Sequence, residues 1–163
     1  LTIDGVDEID SSLRAIKGAG GALLREKVVA TASLRMIAIG DGSKCSPAIG
    51  RRPVPAEILP FARTFVLAAI GSLRAVPTLP RVKGKPGHSD QGNLFADCAF
   101  PTLADPEMIA AKLSAIPGVL GHGLFLTEID ALYIADAGKV TRHQRGNEHA
   151  KFTAPPSATV HAQ

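Results

Sequence analysis

Ile3-Asp4-Gly5-Val6-Asp7-Glu8, then Lys17-Gly18-Ala19-Gly20-Gly21-Ala22 and Leu24-Arg25-Glu26-Lys27, is the stretch on which the reading of the fold turns. Residues 1–3 read as the end of a buried strand, and Asp4 stands where that strand stops, the edge at which open α/β sheets place ligand groups. Asp7 is carried on the turn just beyond. Gly18, Gly20 and Gly21 allow positive φ and a close approach of backbone to ligand, while a helix starting near Ala22 aims its unpaired N–H groups at the same space. Such a loop favours anionic oxygens. Glu26 falls in the first turn of the helix, where the macrodipole favours a carboxylate. Leu24, Val28 and Ala32, spaced four apart, predict the buried face and set Glu26 on a different one.

Taken singly, these residues have ordinary readings. Aspartates favour turns and caps, a lone lysine is usually solvated, and glycines occur in many strand-to-helix loops. Their joint order is what predicts an acid/base site.

Residues 35–41 read as a second short apolar strand, ending in a turn that presents Lys44. Strand, helix, strand gives a parallel βαβ step, so Asp4 and Lys44 are expected at one sheet edge. Pro47, Pro53, Pro55 and Pro60, with Arg51 and Arg52 among them, predict an extended crossing segment and a domain boundary. Beyond it the order changes. A strand at 54–59, a helix at 61–73, an extended run at 78–83, a strand at 93–100 after a turn at Asp90-Gln91-Gly92, a helix at 106–116 and a strand at 119–126 make a βαββαβ unit, the ferredoxin-like split arrangement. Asp105 reads as N-cap and Pro106 as N1 of the second helix, and Asp90 and Asn93 as hairpin-turn residues. Residues 130–135 are expected to return as a strand to the first sheet, with Gly138 in a turn and 140–143 as a last extension.

The expected fold is therefore α/β: a Rossmann-like, mainly parallel sheet, incomplete at its N-terminus, with an inserted ferredoxin-like α+β domain. Residues 1–50 and 127–145 form the first part, 51–126 the insertion, chiefly for packing or subunit contact, and 146–163 a disordered tail without periodicity.

Composition bounds the partners. The 163 residues are 45% apolar, ample for a core. Lys and Arg exceed Asp and Glu by 18 − 15 = 3, which suits anionic small molecules and falls short of a nucleic-acid footprint; aromatics for base stacking are only 4%. Cys45 and Cys98 lack metal-ligand spacing and read as reduced thiols, so no metal site is expected. His88 and His122 read as surface or satisfied core residues. No apolar run is long enough to span a bilayer, and a chain that opens on Leu inside a strand reads as a fragment.

The blocks Asp4–Glu8 and Lys17–Lys27, continued by Asp41-Gly42-Ser43-Lys44, residues 53–60, Ser89-Asp90-Gln91-Gly92-Asn93 and Ile116-Pro117-Gly118-Val119, resemble type A ribose-5-phosphate isomerase over about residues 1–140. The resemblance implies interconversion of ribose 5-phosphate and ribulose 5-phosphate through an enediolate, in the non-oxidative pentose phosphate pathway. It also implies a cytoplasmic homodimer with no cofactor and no metal. By position Glu26 matches the general base. Asp4, Asp7 and Lys17 match polar groups around the sugar oxygens, Gly5, Val6, Gly18, Ala19 and Gly20 border the substrate, and Lys44 matches a ligand-binding lysine. Gly42 stands where the family commonly has Glu, and Gln91 replaces an Asn. The family's Gly/Ser/Thr-rich phosphate loop precedes the first Asp and is not in this sequence, so the 163-residue chain alone is expected to turn over weakly or not at all. The contrasting reading is a sugar-phosphate-sensing effector domain without chemistry, which the presence of both Glu26 and Lys17 disfavours. A dinucleotide site is disfavoured because the glycine loop lacks G-x-G-x-x-G spacing after a strand.

Overall fold

The computed structural model describes residues 1–82 and 85–146. Strands β1 (Thr2–Gly5), β2 (Glu8–Ile9) and β3 (Ala15–Ile16) lead into helix α1 (Leu23–Ala32), then β4 (Met36–Asp41) and a 3-10 turn at Gly42–Lys44. β5 (Val54–Ile58), α2 (Arg63–Ser72) and β6 (Val76–Thr78) follow, then β7 (Arg81–Val82), β8 (Lys85–Pro86) and β9 (Leu94–Ala99). The chain continues through α3 (Pro106–Ser114), β10 (Val119–His122), β11 (Leu124–Phe125), β12 (Ile129–Asp136) and β13 (Lys139–Gln144).

The first sheet has the order β1-β4-β12-β13, with β1, β4 and β12 parallel and β13 antiparallel. The predicted βαβ step is thus present, and so is the return at 130–135. Between β4 and β12 lies a four-stranded antiparallel sheet, β10-β5-β9-β6, with α2 and α3 as its helices. This is the strand order of the ferredoxin-like βαββαβ unit. Asp105 caps α3, its Oδ1 accepting from Met108 N at 2.8 Å, with Pro106 at the first helical position.

A third sheet, β11-β3-β2, joins the other two. Its alternation explains how. Ile16 and Leu124, paired across β3 and β11, face the core of the antiparallel unit, while their neighbours Ala15 and Phe125 face the core under the parallel sheet. Lys17, one residue past Ile16, is turned to Phe125's side, with its ammonium 5.5 Å from the ring centroid.

Three expectations fail. β1 is not buried: Ile3 is 58% exposed, on a face of the sheet that also leaves Ile39 of the inner strand β4 48% exposed, so that face is open among the described residues. The strand expected at 119–126 divides at Gly123, whose N–H donates to Pro55 O (2.7 Å) and whose carbonyl accepts from Lys17 N (2.9 Å), so one chain serves two sheets. The buried face of α1 is Leu23 and Ala30 with Glu26 and Lys27 half-buried between them, whereas Val28 and Ala32 are exposed and Leu24 is half-buried. Glu26 therefore lies on the inward face, the reverse of the reading from apolar spacing. The expected tail falls, beyond Gly146, outside the described residues.

Glu8 holds the proline-rich crossing. Its fully buried carboxylate accepts from the backbone N–H groups of Gly50 (3.3 Å), Arg51 (3.2 Å) and Arg52 (2.8 Å). Glu8→Gln puts an NH2 group among those donors, and we expect a loss of about 1.5–3 kcal/mol in denaturant unfolding.

Candidate active site

Lys17 is the hub of the site, and the fold buries it to 2% exposure. Its Nζ lies 2.8 Å from Asp4 Oδ2 and 3.2 Å from Glu26 Oε2, and it also donates to Gly5 O. Three elements converge here: the C-terminal end of β1, the residue after β3 and the first turn of α1. Asp4 Oδ1 accepts from Gly5 N at 2.8 Å, which fixes its rotamer. Asp7 Oδ2 accepts from Ala19 N at 3.0 Å, so the turn after β1 ties down the glycine loop. That loop closes with Gly21 N donating to Gly18 O at 3.0 Å, both glycines having positive φ (+98° and +86°). A Cβ on Gly18 would lie 2.3 Å from Leu23 Cβ, so no larger residue fits there.

The ion pair of Lys17 with Glu26 leaves Glu26 Oε2 buried and without a hydrogen bond. The 3.2 Å approach is electrostatic, since the ammonium aims at Asp4 and the Gly5 carbonyl. Glu26 Oε2 is thus a buried acceptor that no donor among the described residues occupies.

The candidate residues are not all brought together. Asp4, Lys17 and Glu26 form one contact cluster, and Asp7 joins it through the loop. Val6 is 7% exposed and packs in the core under the parallel sheet, leaving only its backbone for a ligand. Lys44 follows β4 at the same sheet edge as Asp4, packed along Gly40, and among the described residues no ion pair links it to the cluster. Asp90 and Asn93 do sit in a turn, and they do more: Asp90 lies 3.7 Å from Arg25 and Asn93 Nδ2 donates to Glu57 at 2.8 Å.

Other residues shaping the site were not singled out by sequence. Phe125, fully buried, lies under Lys17 and, at 3.8 Å from ring centroid to Nζ, under Lys27 as well. Lys27 pairs with Glu128 at 2.7 Å and donates to Leu124 O. Burial draws the Lys27 ammonium below its ordinary value in spite of Glu128. At Glu128 burial works upward, and the Lys27 hydrogen bond and charge outweigh it, leaving the carboxyl below its ordinary value. Asp97 is held above the usual carboxyl range by burial and by the Asp7 charge, which brings a carboxylate of β9 into the field of the site. Gly123 has no room for a side chain, its Cβ position lying 2.1 Å from Lys17 O. Arg145 clamps four carbonyls, those of Ser12, Leu13, Leu126 and Ile129. The glycines flanking His122 were a legible signal of a tight crossing; the partners of Lys27 and Arg145 are distant in sequence and left none.

His122 is a satisfied core histidine. Nδ1 accepts from Leu124 N at 3.3 Å, which makes Nε2 the protonated nitrogen facing Ser114 Oγ at 3.1 Å. Burial, with the Lys27 charge, pushes its pKa down to about 4. The imidazole is neutral when folded and takes a proton more readily when unfolded, so its contribution is intact above about pH 6.5 and is lost as pH falls from there to about 4. We expect unfolding measured across that window to show an acid-side loss on the order of 3 kcal/mol, flattened in His122→Gln.

Residues 1–139 match the family described as Ribose 5-phosphate isomerase A (phosphoriboisomerase A). The Ribose-5-phosphate isomerase A of Sphingopyxis alaskensis is 49% identical over 146 residues, 90% of this chain and 64% of that protein. The ribose 5-phosphate isomerase of Plasmodium falciparum superposes with a TM-score of 0.84 at 32% identity, over 88% of this chain and 65% of that one. A D-ribose-5-phosphate isomerase solved in complex with phospho-erythronic acid also gives 0.84, at 31% identity over 88% and 64%. The chain thus spans a little under two thirds of the length of each of these relatives. No helix among the described residues is long and apolar enough to cross a membrane. On the match over residues 1–139 and the identity to these relatives, the chain belongs to the ribose 5-phosphate isomerase A family.

Proposed function

We propose that this chain serves an aldose-ketose isomerase interconverting ribose 5-phosphate and ribulose 5-phosphate, with Glu26 as the base. The observation that carries the reading is the buried Glu26 Oε2, 3.2 Å from Lys17 Nζ and without a hydrogen bond. In the open-chain aldose, Glu26 takes the proton from C2. The electron pair forms the C1–C2 double bond, and charge collects on the oxygen that was the C1 carbonyl. Glu26 returns the proton to C1, the C2 hydroxyl proton passes to the charged C1 oxygen as the C2 carbonyl forms, and the ketone remains. Two of the three N–H bonds of Lys17 go to Asp4 and Gly5 O, which holds the ammonium still and leaves the third for a substrate oxygen.

Asp4, Asp7, Gly5, Val6 and the backbone of Gly18, Ala19 and Gly20 are assigned to the sugar hydroxyls, and Lys44 to the anionic end. The phospho-erythronic acid bound by the relative supports the enediolate chemistry: its carboxylate is a planar anionic group, as an enediolate is. The proton transfer calls for neither cofactor nor metal, and the setting that goes with it is a cytoplasmic homodimer. A sensing domain would bind the sugar and leave its C–H bonds alone. The test is ribose 5-phosphate in deuterated water, with these residues carried in a chain of the relatives' full length: we expect deuterium at C2 of the aldose and C1 of the ketose, and binding with no deuterium uptake would remove the enzyme reading.

A further inference from the structure

Glu57, like Glu8, is a fully buried carboxylate outside the site. It sits on β5, an inner strand of the antiparallel sheet, at 0% exposure, and among the described residues it has no ion-pair partner. Its Oε1 accepts from Ser89 Oγ at 2.7 Å and from Asn93 Nδ2 at 2.8 Å, while Oε2 is buried with no partner. An apolar side chain would be the ordinary choice for such a place, since a buried carboxylate served by neutral donors is costly. What it gains is control of the turn at residues 89–93. Ser89 Oγ accepts in turn from Gln91 N (3.3 Å) and Asn93 N (3.2 Å), Ser89 N donates to Asn93 O (2.7 Å), and Gly92 N donates to Ser89 O (2.8 Å).

The other side of that turn touches the glycine loop. Asp90 N donates to Gly21 O at 3.4 Å, and Arg25 Nη2 donates to Asp90 O at 3.2 Å. Gly21 lies within ordinary contact of the turn, an added Cβ falling 3.5 Å from His88 O and 3.7 Å from Ser89 Cα. Gly21 closes the loop onto Gly18, and Ala19 of the same loop is bonded to Asp7. We infer that Glu57 is a positioning residue for the glycine loop, acting through Ser89 and Asn93 to fix the turn on which Gly21 and the start of α1 rest. The inference rests on the reading of that loop as the substrate's, and it gives the antiparallel unit a part in the site beyond packing.

Per-residue amide exchange tests the coupling without needing turnover. Glu57→Gln keeps an acceptor for Ser89 and Asn93 and alters the oxygen that has no partner, so exchange at Ala19 and Gly21 is expected to stay near that of the unaltered chain. Glu57→Met removes the acceptor at similar length, and Ser89→Ala removes the donor without opening a large cavity. Both are expected to speed exchange at Ala19, Gly21 and Asp90 about tenfold, with β4 and β12 unchanged. They should also weaken binding of phospho-erythronic acid, with recovery in Glu57→Gln. Loosening confined to residues 89–93, or spread evenly over β5, β9 and β10, overturns the inference. Failure of the unaltered chain to bind phospho-erythronic acid would instead count against the functional reading, and the exchange data would still judge Glu57.

Discussion

In a chain of the relatives' full length, Glu26→Gln is expected to lower deuterium uptake into ribose 5-phosphate by about 10²- to 10⁴-fold, the span that general-base catalysis supplies. Gln keeps the length and planarity of the side chain and the place of Oε2 beside Lys17, but its amide cannot hold the transferred proton. The dissociation constant for phospho-erythronic acid should change little, which makes the loss one of kcat rather than of uniform binding. Glu26→Asp gives an independent reading, because it keeps the carboxylate and withdraws it by one methylene. A base displaced by about 1 Å is expected to cost on the order of 10²-fold. If Glu26→Gln retained most of the exchange rate, the base would have to be sought elsewhere, with Asp4 the nearest carboxylate across Lys17.

The Glu26 helix also shows where sequence reading stops. The order of strands and helices in the parallel sheet and the βαββαβ unit was legible because hydrophobic runs, prolines and an Asp-Pro cap are local signals, while the short strands β2, β3 and β11 of the third sheet were not. Nor was the buried face of α1. Leu24, Val28 and Ala32 carry the helical period, yet the face turned inward holds Leu23, Glu26, Lys27 and Ala30. Two of these four are charged, and a rule that counts apolar residues sets charged ones outside. They go inside because their partners come from far along the chain: Lys17 for Glu26, and Glu128 with the Phe125 ring for Lys27. A functional site breaks the local pattern at the places where long-range partners make burial of charge tolerable. Gly123 gives the same lesson in the backbone. Periodicity runs straight through it, while the hydrogen bonds to Pro55 and Lys17 divide the strand in two.

Lys17→Met is the second large effect, and it falls on chemistry more than on stability. Met occupies similar volume against Phe125 but offers no donor, so the oxygen that gains charge in the enediolate loses its ammonium; we expect roughly 10²- to 10³-fold slower deuterium uptake. Asp4 and Glu26 are left facing each other without the cation between them. Their side chains are 36% and 24% exposed, so water screens part of that repulsion and the loss of folding stability should be on the order of 1–2 kcal/mol, less than for a fully buried pair. Lys17→Arg is not expected to rescue the rate. Gly5 O, Asp4, Glu26 and the Phe125 ring surround Nζ as a point charge, and the donors of a planar guanidinium are set in a different geometry. Nor can Lys27 substitute, although its charge lies over the same ring, because Glu128 and Leu124 O hold it in place. Uptake within tenfold of the unaltered chain in Lys17→Met would mean that the loop N–H groups alone meet the developing charge, and Lys17 would then be a structural strut between β1 and α1.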